Sequence, residues 1–118
     1  MKYFKLAMLS AMAVGLIVSF AFAEGDVEKG KALFNDPKAF GAPGEKSCSS
    51  CHPNGTGLEH AGARGKKDWT NPGGKWLSLE DASNVCIMLA NKGKTIDPRG
   101  AEMMDLVAYI KFLHKAKK

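Results

Sequence analysis

Cys48-Ser49-Ser50-Cys51-His52 is the stretch on which the reading of this chain turns. It has the form C-x-x-C-H, the attachment signature of c-type haem. The spacing has a chemical reason. Two thiols three positions apart on one helical turn can each add to one of two neighbouring vinyl groups of a porphyrin. The thioethers pin the porphyrin edge, and the next residue, His52, supplies an axial imidazole to the iron. A lone redox or zinc C-x-x-C followed by His is the competing reading. Structural zinc takes four ligands, and no second Cys pair or paired His follows the motif. Cys48, Cys51 and His52 are therefore the expected cofactor-binding residues. His52 is the expected metal ligand, and one covalent haem c the expected cofactor.

Upstream of the motif, the chain opens like an exported protein. Met1 to Lys5 carries two lysines, and Leu6 to Phe20 is apolar or small with no charge. Ala21-Phe22-Ala23 then forms an A-x-A pattern ahead of Glu24. Residues 1–23 read as a cleaved secretory signal peptide, and residues 24–118 as one domain of 95 residues. An uncleaved anchor is the other reading, because the 18 residues from Leu6 to Ala23 are just long enough to span a bilayer. The small-residue exit favours cleavage. No Cys closes the apolar run, which argues against a lipid anchor. Haem is attached to C-x-x-C-H outside the cytoplasmic membrane, so both signals point to the periplasm. A chain this short buries little apolar surface alone, and the haem-free polypeptide is expected to fold poorly.

The formal charge of the whole chain is +5. Without Lys2 and Lys5, 15 cations face 12 anions, leaving +3. That is mildly basic and not a nucleic-acid signature. Arg64-Lys66-Lys67, Lys92-Lys94 and Lys115-Lys117-Lys118 are cationic clusters. They read as a solvated surface, or as a ring that steers acidic redox partners to a cofactor edge.

Helical periodicity appears three times. Residues 25–34 form a first helix, with Asp26 as cap and Val27, Gly30 and Phe34 on one face. Gly30 weakens a helix, so a close helix–helix crossing is its natural explanation. A second helix starts at Ser78-Leu79-Glu80-Asp81, a variant capping box, and ends at Lys92-Gly93. Leu79, Ala82, Cys86, Leu89 and Ala90 share one of its faces, with Met88 on the opposite side. The last helix runs from near Gly100 to about Lys115, with Met103, Leu106, Val107, Ile110 and Leu113 as an apolar stripe. Between the first two helices lie turn-rich segments. Residues 58–77 show no clear period and read as an irregular loop wrapping one cofactor edge. Trp69 and Trp76 in that loop are core residues or indole donors to a haem propionate.

From Gly25-Asp26 through the haem motif to Asp105-Leu106-Val107-Ala108-Tyr109-Ile110, the chain resembles the small single-haem cytochromes c. The resemblance covers most of residues 25–115. It implies an all-α, cytochrome c-like fold: three to four helices wrapped around one covalently attached haem, with the N- and C-terminal helices crossing. It implies that Leu106 and Tyr109 pack on Gly30 and Phe34. In that family a proline carbonyl in the middle loop accepts the ring N–H of the proximal histidine, a part that falls to Pro72 here.

The sixth iron ligand stays open among Cys86, Met88, Met103, Met104, His60 and His114. Most cytochromes c use a methionine between their last two helices, and this chain has none between Lys92 and Ala101. Asn84-Val85-Cys86, Gly93-Lys94 and Glu102-Met103 are similar to elements in the haem domains of thiosulfate dehydrogenases and a sulfur-oxidation cytochrome. That resemblance implies Cys86 as a distal ligand. Cys86 has a plain reading as well, as a small apolar residue on a helix face. A thiolate would favour ferric iron and a thioether ferrous.

The expected function is periplasmic transfer of one electron between redox partners by a monomeric carrier. The alternative is a haem subunit of a sulfur-compound oxidoreductase, with Cys86 at the iron. A sensor with an open sixth site is a third possibility.

Overall fold

Asp26 ties the beginning of the domain to its end. Its Oδ1 accepts the Lys29 backbone N–H at 3.0 Å, which caps helix α1 (Val27–Asn35). Its own backbone N–H donates to Asp105 Oδ1 at 2.7 Å, in helix α4 (Ala101–Ala116). The two helices then cross at Gly30. A Cβ at that position would overlap the Asp105 carbonyl and lie 2.9 Å from the Tyr109 Cβ. Only glycine allows this approach. One turn further on, the Phe34 and Tyr109 rings meet edge to face, 5.2 Å between centroids. The crossing of the first and last helices is thus a direct consequence of the G-x-x-x-F spacing.

This is a computed structural model, and it describes residues 25–116. The proposed signal peptide, residues 1–23, lies outside the described residues. Among them, about half are helical, in four α-helices joined by turns and one small hairpin. Helix α2 (Cys48–Cys51) is a single turn. Strands β1 (Trp69–Asn71) and β2 (Gly74–Trp76) follow, then helix α3 (Leu79–Leu89) and α4. No helix of the described residues is long and apolar enough to cross a membrane.

The apolar stripe of α4 forms the centre of the core. Met103, Leu106, Val107, Tyr109, Ile110 and Leu113 pack with Phe34 from α1, Phe40 from the following turn, and Leu79 and Ile87 from α3. Fully burying each such side chain contributes about 1.5–3 kcal/mol.

The helices stand close to their sequence-based bounds, but two expectations need correcting. The first is the middle loop of this mainly helical fold. Trp69 pairs opposite Trp76, Thr70 opposite Lys75 and Asn71 opposite Gly74 in an antiparallel hairpin. The segment read as an irregular loop therefore holds a two-stranded sheet. Pro72-Gly73 makes its turn, and the Gly73 N–H donates to Asn71 Oδ1 at 2.9 Å. Two strands alone are marginal in water. This pair is anchored because Asn71 Nδ2 donates to the Ala82 carbonyl of α3 at 3.0 Å.

The second correction concerns the buried face of α3. Leu79, Ala82, Asn84 and Ile87 are buried, whereas Leu89 is 46 % exposed. The true core stripe is rotated, with a buried asparagine in it. Asn84 Oδ1 accepts the Ile96 N–H at 2.8 Å, and Asn84 Nδ2 donates to the Ile96 carbonyl at 2.9 Å. Both backbone groups of Ile96 are satisfied by one side chain, so the segment between α3 and α4 is clamped to α3.

Candidate functional site

The short helix α2 exists because its polar ends are satisfied locally. The Ser47 N–H donates to Ser50 Oγ at 3.0 Å, and the His52 N–H donates to the Cys48 carbonyl at 3.0 Å. That second bond closes the turn joining the first thiol to the histidine. The chain leaves through Pro53–Gly55, a single 3-10 turn, with Asn54 at φ +55°. Asparagine tolerates that left-handed conformation better than most residues.

This path brings the His52 ring back over its own loop. His52 Nδ1 lies 2.8 Å from the Thr56 carbonyl. A carbonyl only accepts, so Nδ1 is the donor, and in the neutral ring Nε2 holds the lone pair. The expectation for Pro72 is therefore corrected. Pro72 lines the same cleft, but the carbonyl that fixes the imidazole belongs to Thr56, four residues along the chain. A turn this tight delivers the acceptor without a long-range loop.

Cys48, Cys51 and His52 open onto one cleft of about 400 Å3. That lies in the range of small-molecule and cofactor sites. Its walls come from every main element: Phe34 of α1, the α2 motif, Leu58 and Trp69, then Cys86 and Ile87 of α3, and Leu106 and Ile110 of α4. The lining is mainly apolar, as a porphyrin face requires. Among the described residues, no group of three or more His, Cys, Asp or Glu side chains could hold a bare metal ion. A porphyrin supplies four in-plane nitrogens of its own, so its iron asks for only one or two ligands from the chain. The donor set fits that demand: two thiols at the spacing for two thioethers, and one imidazole with Nε2 available.

The candidates for a sixth ligand separate sharply. Cys86 faces the cleft from α3. Met88 is 48 % exposed and does not line it. Met103 is 1 % exposed within the core, and Met104 also lies outside the cleft wall. His60 reaches the cleft, with its ring 6.1 Å from that of His114, whose Nδ1 is engaged with the Glu59 carbonyl at 2.7 Å. His114 does not line the cleft. Of the thiol and thioether groups outside the attachment motif, Cys86 alone stands on this wall among the described residues.

Two asparagines escaped the sequence reading. Asn71 Nδ2 lies 3.6 Å from Cys86 Sγ, and Asn91 Nδ2 lies 3.7 Å from Cys48 Sγ. Burial pushes both thiols above the ordinary cysteine value, and these amides partly oppose the shift. Asn71 had a local signal, since Asn-Pro-Gly marks a turn. Asn91 had none beyond standing after a helix.

The tryptophans have partners within the protein. Trp69 Nε1 donates to the Ala61 carbonyl at 2.8 Å, and Trp76 Nε1 donates to Asn71 Oδ1 at 3.0 Å. Both indole N–H groups are engaged within the protein, and Trp69 packs against the core, in line with the first of the two readings. Lys66 lines the cleft with its ammonium 5.9 Å from the centre of the Trp69 ring.

The chain matches no protein-family model, no curated protein and no solved structure.

Proposed function

We propose that this chain is a periplasmic electron carrier holding one haem c in the cleft. Cys48 and Cys51 would form the thioethers, and His52 Nε2 would ligate the iron. The observation that carries this reading is the convergence of all three residues on one apolar wall, with the histidine already oriented by the Thr56 carbonyl. A haem bound there supplies one reversible electron. The rest falls to the chain. Thr56 keeps the proton on Nδ1 and makes the imidazole a stronger donor. Phe34, Ile87, Leu106 and Ile110 would give the porphyrin an apolar wall. On this reading the fold is a cytochrome c-like wrap around the cofactor, and residues 1–23 direct export. Lys66 and its cationic neighbours favour acidic redox proteins as partners.

The position of Cys86 on the same wall supports a second reading, a haem subunit of a sulfur-compound oxidoreductase with Cys86 at the iron. A spectroelectrochemical titration separates the two when paired with a turnover assay. The carrier reading expects a single reversible one-electron step and no oxidation of thiosulfate with an artificial acceptor. Sustained thiosulfate turnover would overturn it in favour of the enzyme.

A further inference from the structure

We propose that Asn71 is a positioning residue that sets the donor strength of the Cys86 sulfur and thereby the potential of the bound iron. The inference rests on the reading of Cys86 as the sixth ligand and goes a step beyond it.

The geometry fixes which way the Asn71 amide points. Its Oδ1 accepts from two donors, Trp76 Nε1 at 3.0 Å and the Gly73 N–H at 2.9 Å. Its Nδ2 faces an acceptor, the Ala82 carbonyl at 3.0 Å. A flipped amide would set N–H against N–H on one side and oxygen against oxygen on the other. Three partners therefore force the NH2 group toward α3, where its remaining direction is Cys86 Sγ at 3.6 Å. Ala82 and Cys86 are one helical turn apart on α3, so one amide spans both. The hairpin thus has a role that its size alone does not suggest. It is a bracket that carries one N–H to one sulfur.

A hydrogen bond to a sulfur ligand withdraws electron density from it. The sulfur then donates less to the iron, ferric iron loses stabilisation, and the potential rises. Removing the donor lowers the potential.

The test uses the haem-loaded protein. Ferric and ferrous spectra of Cys86→Ala against wild type first establish whether the sulfur is at the iron. Midpoint potentials at one pH are then measured for Asn71→Leu, Asn71→Asp and Trp76→Phe. Asn71→Leu removes the donor and is expected to lower the potential. Asn71→Asp keeps the acceptor for Trp76 and Gly73 but turns an oxygen toward the sulfur, and is expected to lower it further. Trp76→Phe removes one of the two locks on the amide and is expected to give a smaller fall in the same direction.

If one Asn71 variant folds poorly, the other two substitutions still report. Unchanged potentials in variants whose spectra keep the sulfur signature would overturn the role of Asn71 while leaving Cys86 ligation intact. A Cys86→Ala spectrum identical to wild type would remove the premise and the proposal together. A merely structural Asn71 would shift the melting temperature and leave the potential in place.

Discussion

His52 and Thr56 are joined side chain to backbone, with Nδ1 2.8 Å from the carbonyl oxygen. The carbonyl makes Nδ1 the donor, which in the neutral ring leaves Nε2 as the atom able to bind a metal. The orientation of this histidine is thus set by a carbonyl of its own loop, four residues along the chain.

Gly57 protects that arrangement. It sits at φ +89°, and a Cβ there would lie 3.2 Å from His52 Nδ1. Gly57→Ala is expected to cost about 1–3 kcal/mol through the backbone conformation, and to perturb the histidine as well. Denaturant titration of the haem-loaded protein measures the first effect, and the iron's absorption spectrum the second. An unchanged midpoint would show that the loop relaxes freely.

The crossing at Gly30 has no such slack, because the opposing atoms belong to the α4 backbone. Gly30→Ala is expected to destabilise by about 2–3 kcal/mol or more, in the range of overpacked cores. Thermal melts of the variant against wild type read this out directly. A melting temperature within one degree or so of wild type would mean that the helices do not touch there in solution.

Asn84 holds the segment before α4 by both backbone groups of Ile96. Asn84→Ala would leave a part-buried N–H and carbonyl of Ile96 without their partner, at up to about 1–3 kcal/mol for each group to the extent that water cannot reach it. Amide exchange at Ile96 should accelerate well beyond the global change. Uniform acceleration across the chain would argue that the clamp is not local.

Met103 and Cys86 should behave as opposites. Met103 is 1 % exposed in the core, so Met103→Ala is expected to cost about 2–5 kcal/mol and to leave the iron spectrum alone. Cys86→Ala removes a small, half-buried side chain, and is expected to change the spectrum at a smaller cost in stability. The reverse pattern would return the sixth site to a methionine.

The elements that were legible in the sequence are those whose reason is periodic. Helix α1 with its Asp26 cap, α3 with its Ser78 cap and the stripe of α4 all follow from spacing, and the Gly30–Phe34 crossing follows from one missing side chain. The hairpin was hidden because each strand has three residues, too few for a period to show. Its signs were the Pro72-Gly73 turn and two tryptophans placed symmetrically around it. The face of α3 was misjudged because a buried asparagine breaks the apolar pattern. Asn84 looks polar in sequence and becomes a core residue only through Ile96. For the candidate site, the spacing of Cys48, Cys51 and His52 singled out three residues that the structure places on one cleft. Thr56 was not legible, because a backbone carbonyl carries no side-chain signature. The amides at the sulfurs were not either, since they come from 15 and 43 residues away.

One measurement bears on the central claim most directly: the intact mass and visible spectrum of mature protein from a host able to attach haem to C-x-x-C-H. The account predicts the mass of the chain plus one haem, with haem absorption that stays on the polypeptide after denaturation and is lost in the Cys48→Ala, Cys51→Ala double variant. A colourless product with the mass of the bare chain would contradict it.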